Sequence, residues 1–156
     1  MSKGSRAIER IQNGLNATVQ KIQPEMLENF QEQGVTPTQL FVLSFLKKNG
    51  SCKISQLVEL MEVKPSAVTF MIDRLEQNGM VIRQHDTKDR RVVNISLTDL
   101  GEEKFQKVLE GRKKIVERYL AVLSEEELLN MADIVEKLAL TEPVVKETAE
   151  CTVKGE

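Results

Sequence analysis

The sequence predicts a mainly α-helical fold carrying one small β-hairpin. Apolar residues recur at steps of three and four along most of the 156 positions. The period shortens to that of strands only between Gly79 and Thr98. Capping hydroxyls stand before several of the helical runs, as helix starts require.

The first run places Ile8, Ile11, Leu15, Val19, Ile22, Met26 and Phe30 on one narrow stripe. Pro24 lies inside it and is expected to kink or split the helix, which Gly34 then ends. So long and narrow a stripe calls for a packing partner beyond the local core, and a second subunit is the natural one. Thr36 and Pro37 form a cap and a first helical position for the next helix. Its residues Leu40, Phe41, Val42, Leu43, Phe45 and Leu46 wrap most of the circumference, so it is expected at the centre of the domain. Lys47, Lys48 and Gly50 close it.

Ser55 is a candidate cap for a short helix bearing Leu57, Val58, Leu60 and Met61. After the turn Glu62–Val63–Lys64, a second helix starts at Pro65–Ser66 and runs to Asn78–Gly79, with Val68, Ile72 and Leu75 facing inward. The pair reads as a helix-turn-helix whose corner is packed by Leu57, Val63, Val68 and Ile72. Met80-Val81-Ile82 and Val92 to Leu97 then read as strands, separated by the polar turn His85 to Arg90. A helix-turn-helix followed by a charged hairpin is a winged helix. Thr98 caps a helix carrying Phe105, Val108, Leu109, Ile115, Val116, Tyr119, Leu120 and Leu123. Ser124 and Glu127 make a capping box for a last helix lined by Leu128, Ala132, Val135 and Leu138. Pro143 and the residues beyond read as a loose tail containing Cys151.

Composition narrows the function. A hydrophobic fraction of 40% supports a packed core, with no need of a metal or disulfide staple. No apolar run approaches the length of a membrane span, and no secretory segment is expected after Met1. Cys52 and Cys151 make no ligand pattern, and His85 is the single histidine, so neither a metal nor another cofactor is expected. The expected location is cytoplasmic. Without a Gly-rich phosphate loop or a nucleophile–base pair, catalysis is not expected either. The net charge of −2 taken alone argues against nucleic acid, but its distribution does not. Residues 47–91 hold nine basic and six acidic side chains, a balance of +3, while the rest of the chain carries −5.

The string Pro65-Ser66-Ala67-Val68-Thr69, Ile72-Asp73-Arg74-Leu75-Glu76 and Asn78-Gly79 resembles the MarR family of winged-helix transcriptional regulators. The resemblance continues through Arg83, Asp86, Asp89-Arg90-Arg91, Leu97-Thr98 and Gly101, with long flanking helices in family order. It implies a winged helix-turn-helix with long N- and C-terminal dimerisation helices. It also implies a homodimer that binds double-stranded DNA at a pseudo-palindromic site, as a repressor. Many relatives release DNA when a small amphipathic or phenolic effector binds; the sequence does not locate such a pocket. The peroxide-sensing branch uses a cysteine near the N-terminus, which this chain lacks. The alternative reading is a winged-helix protein-interaction module without specific DNA binding.

Major-groove helices present their N-terminal side chains to base edges. Ser66 and Thr69 are therefore candidate base or phosphate contacts, with a simple capping role as the alternative for Ser66. Lys64 is placed to reach phosphate at the helix start, or else is a solvated turn residue. The resemblance gives Arg74 a DNA-backbone contact, with an intramolecular salt bridge as the alternative. Phe70 is a wedge, a thymine contact or a core residue. The wing set is Arg83, Lys88, Asp89, Arg90 and Arg91. One of the two adjacent arginines is expected in the minor groove, while Asp89 fixes the turn and holds an arginine fork. His85 is expected to serve wing structure rather than pH sensing. Cys52 is expected buried, and Tyr119 in the core or interface. The resulting division is 1–35 for N-terminal dimerisation, 36–98 for the DNA-binding domain, 99–141 for the C-terminal dimerisation helices and 142–156 for the tail.

Overall fold

The computed structural model describes residues 3–89 and 91–141. Arg90 and the 142–156 tail, with Pro143 and Cys151, lie outside the described residues. Helix α1 (Lys3–Glu32) runs unbroken through Pro24, so the expected split does not occur. Proline removes one backbone hydrogen bond from the helix, and long helical stretches on both sides absorb that loss. Helix α2 (Pro37–Asn49) starts on a full capping box. Thr36 Oγ1 accepts from the Gln39 N–H at 3.2 Å, and Gln39 Oε1 accepts from the Thr36 N–H at 2.9 Å. Gly50, at φ 76°, ends it in the left-handed region where a side chain would strain the backbone. Leu40, Val42, Leu43 and Leu46 are buried as expected, but Phe41 remains exposed.

The sequence reading missed strand β1 (Ser51–Lys53), which is too short for its period to register. Helix α3 (Ile54–Met61) follows directly. Its cap is not Ser55, which lies inside the first turn. The Gln56 side chain caps it instead, accepting from the Lys53 N–H at 2.8 Å. Glu62 adopts φ 53° to turn the chain toward α4 (Pro65–Gln77). Leu57, Val68 and Ile72 are fully buried at the corner. Val63 is not part of it; the turn leaves its side chain 41% exposed.

Strands β2 (Val81–His85) and β3 (Val93–Leu97) form the hairpin, each starting one residue later than expected. His85 belongs to β2, not to the turn, because it pairs with Val93. The sheet is antiparallel in the order β1-β3-β2, with Cys52 opposite Ile95. Helix α5 (Asp99–Leu120) begins where Thr98 Oγ1 accepts from the Gly101 N–H at 3.0 Å and donates to the Gly79 carbonyl at 2.6 Å. Helix α6 (Glu125–Leu140) starts on the Ser124/Glu127 capping box.

The described residues divide into two compact units, one ending at Glu117 and the other covering 118–141. The first is built around Leu43, Leu46, Leu57, Ile72, Leu75, Ile95 and Val108, all fully buried. At its α1 end, Asn29 Nδ2 donates to the Val108 carbonyl at 2.9 Å, which ties α1 to α5 and satisfies a buried amide. The second unit contains α6, which buries none of its residues.

Candidate nucleic-acid interface

Helix α4 is two-faced because its inward residues fall at Val68, Ile72 and Leu75. The opposite face presents Ser66, Phe70 and Arg74 as one ridge at four-residue spacing, flanked by Thr69, all exposed. Lys64 is the N-cap residue, exposed and without a side-chain cap bond. Ser66 sits in the first turn rather than at the cap. The Thr69 hydroxyl donates to the Pro65 carbonyl at 3.0 Å, which leaves its oxygen free to accept. Phe70 is 64% exposed, which removes the core reading. The Arg74 guanidinium lies 5.8 Å from its ring centroid, a cation–π distance. Arg74 has no ion pair among the described residues, so the salt-bridge alternative for it is not realised.

Arg83 on β2 is bound to two carboxylates of α4. It donates through Nη1 to Glu76 Oε2 and through Nη2 to Asp73 Oδ1, while its backbone N–H reaches Glu76 Oε1 at 3.3 Å. Its side chain is 24% exposed. Burial alone would lower the guanidinium, but the hydrogen bonds and charges of Asp73 and Glu76 outweigh that and push it upward. This three-residue strap fixes the wing to the helix. Sequence spacing could not reveal it, because the partners are seven and ten positions apart on different elements.

At the hairpin tip, Asp86 is the organiser that sequence reasoning missed. Its Oδ1 accepts from the N–H groups of Lys88 at 2.8 Å and Asp89 at 3.1 Å, and its Oδ2 meets Asn94 Nδ2 at 3.4 Å. The signal was present as an Asp two and three residues before backbone donors in a polar turn. These bonds, led by the one from Lys88, hold the Asp86 carboxyl below its ordinary value. Asp89 shares the work by accepting from the Arg91 N–H at 3.0 Å. Lys88 and Arg91 are exposed beside it.

Away from this face, Cys52 is buried in the sheet, and burial pushes its thiol up to about 11. Tyr119 lies beside Arg118, with the guanidinium 5.8 Å from the ring centroid. A groove of about 480 Å³ opens between α1, α2 and α5. Met26, Phe30, Phe41 and Phe105 line it, with Ser44 and Arg112 as its polar members. Among the described residues there is no metal-ligating cluster, and no helix is long and apolar enough to cross a membrane.

Comparison with known proteins agrees with this geometry. The MarR family profile matches residues 35–93. The HTH-type transcriptional repressor MdtR of Bacillus subtilis (strain 168) is 58% identical over 139 residues, covering 89% of this chain and 90% of MdtR. The crystal structure of the YusO protein from Bacillus subtilis superposes with a TM-score of 0.84 at 57% identity, over 90% of this chain and all of that one. A MepR-like protein crystallised with pseudoligands is 37% identical, with a TM-score of 0.55, over 84% of this chain and 92% of that one. The helix-turn-helix, the strapped wing and these likenesses together make the chain a member of the MarR family of winged-helix transcriptional regulators.

Proposed function

We propose that this chain is a cytoplasmic, sequence-specific repressor that binds double-stranded DNA as a homodimer. The observation that carries the reading is the exposed ridge of α4 held beside the wing by the Arg83 strap. Helix α4 enters the major groove with Ser66 and Thr69 at base edges or phosphates, Lys64 on phosphate at the helix start and Arg74 on the backbone. The wing lies along the adjacent minor groove, where one of Arg90 and Arg91 meets the concentrated negative potential while the other contacts phosphate or pairs with Asp89. Lys88 adds phosphate attraction, Asp86 and Asp89 shape the turn, and Arg83 positions the wing rather than touching DNA. The regulator carries out no catalysis.

The dimer is formed by the apolar stripe of α1 and by α6. Ile8, Ile11, Leu15 and Val19 are each more than half exposed, as are Leu129, Ile134 and Leu138. Their burial against a second copy, at about 25 cal/mol per Å², supplies the stabilisation. The groove between α1, α2 and α5 accepts a small amphipathic or phenolic effector. Its apolar walls suit a ring, Arg112 and Ser44 supply its polar contacts, and its volume lies in the usual range for ligand sites. The crystallisation of the MepR-like relative with pseudoligands supports an effector site.

Selection from random duplex DNA at physiological salt tests the reading. A pseudo-palindrome with half-sites about one helical turn apart is expected. Replacing Arg90 and Arg91 together with alanine should then weaken binding strongly while the dimer stays intact. Unchanged binding would overturn the wing assignment. Absence of any enriched sequence would favour the protein-interaction reading.

A further inference from the structure

Phe70 is left unexplained by the contacts assigned above. It is a large apolar side chain, 64% exposed, at the centre of the ridge between Ser66 and Arg74. The inward stripe at Val68, Ile72 and Leu75 is complete without it, so folding of α4 does not require an aromatic there. Its ring lies under the Arg74 guanidinium, one helical turn further on. An exposed aromatic held beneath a cation is oriented outward at low conformational cost.

The ridge around it is the surface assigned to the major groove, and the inference rests on that reading. The major-groove edges of the base pairs are polar except for one group, the C5-methyl of thymine. Wedging side chains insert from the minor groove, which a helix docked in the major groove does not reach. The apolar complement available to Phe70 is therefore a thymine methyl. We infer that Phe70 is a specificity-determining residue that reads the 5-methyl group of a thymine in each half-site, with Arg74 positioning its ring. Ser66, Thr69 and Lys64 fix the helix through polar contacts, and Phe70 adds a preference that those groups do not supply.

Replacing thymine by deoxyuridine removes the methyl and keeps the pairing edge. Each thymine of the selected operator is substituted in turn, symmetrically in both half-sites, and binding is measured for the full-length protein and for Phe70→Ala. With the unaltered protein, one position should weaken binding about 4-fold per half-site, the size of one buried methyl group. With Phe70→Ala, binding to the thymine operator should be weaker and the uracil effect at that position should vanish. Phe70→Leu should keep part of it, and an unchanged melting temperature for each variant shows that the fold is intact. The inference is overturned if every uracil operator binds as well as its parent, if no half-site contains thymine, or if Phe70→Ala remains equally sensitive. Failure of the selection to enrich any sequence would instead overturn the DNA-binding reading on which it rests.

Discussion

From Val35 to Val108 the first unit is organised around a continuous set of buried apolar side chains, whereas α6 buries none of its 16 residues. Both have well-formed caps, and both carry apolar residues at helical spacing. The difference is where the apolar residues meet a partner. In the first unit Leu43, Leu57, Ile72 and Ile95 meet within one chain. In α6, Leu129, Ile134 and Leu138 meet solvent. An isolated helix of that length is marginal in water, so α6 depends on contacts that its own buried positions do not provide. Periodicity thus reports an amphipathic face, but does not say whether its partner belongs to the same chain.

The sharpest way to break the winged core is at Gly101. A Cβ there would lie 1.9 Å from the Met80 carbonyl oxygen, where two backbone segments pass with no flexible side chain to yield. Gly101→Ala should cost about 3 kcal/mol or more, at or beyond the upper end of overpacking effects, and DNA binding should fall with stability. Chemical denaturation reads this directly. An unchanged midpoint would mean that α5 does not start against Met80.

The second unit should fail differently. Ile134→Ser combined with Leu138→Ser removes two exposed apolar side chains without altering charge. Sedimentation should show dissociation, and far-UV circular dichroism should show helix loss of about one α6. The denaturation midpoint of the winged core should stay nearly fixed. Because each half-site contributes half the released counterions, the slope of log affinity against log salt should fall to about half. A dimer that survives the paired substitution would separate α6 from the assembly.

A subtler break lies between helix and wing. If Arg83 contacted phosphate, neutralising Glu76 would free it and tighten DNA binding. If Arg83 is a strap, Glu76→Gln should weaken binding a few-fold, in keeping with a partly exposed charge-assisted pair. Arg83→Ala should likewise weaken binding while leaving the salt slope unchanged. Arg91→Ala, by contrast, should lower the slope by about 1. A fall in slope for Arg83→Ala would restore it to the DNA-contacting set.

The helices of the first unit were legible because caps and breakers bracket them. Thr36-Pro37, Gly50, Pro65 and Thr98 mark boundaries that the backbone follows closely. The errors arose where a boundary depends on something other than local chemistry. Strand β1 exists because Cys52 pairs with Ile95, 43 positions away, and His85 is a strand residue because Val93 extends the ladder. At the candidate interface, residue types on α4 could be named from their spacing. The Arg83 strap could not, since it joins an α4 carboxylate pair to β2 through tertiary geometry. The exposure of Phe70 was open for a related reason: the sequence left core, wedge and base contact all available, and packing removed the first.

The smallest effect concerns the wing alone, and its pH dependence has a definite sign. Asp86 is held below its ordinary value chiefly by the Lys88 N–H and then by the Asp89 N–H. A carboxylate depressed in the folded state contributes order that is fully present above the unfolded value, about pH 4, and is lost as pH falls through the folded value. The Lys88 and Asp89 amides should therefore be steady across neutral pH and lose their hydrogen-bonded shifts only in acid. Asp86 is only partly buried, at the tip of the wing, so global stability should barely register the change. Amide NMR spectra of the free protein against pH read the wing directly. Asp86→Asn should remove the acid transition, because an amide oxygen accepts without titrating. An acid transition that persists in Asp86→Asn would overturn the assignment of Asp86 as the organiser of the turn.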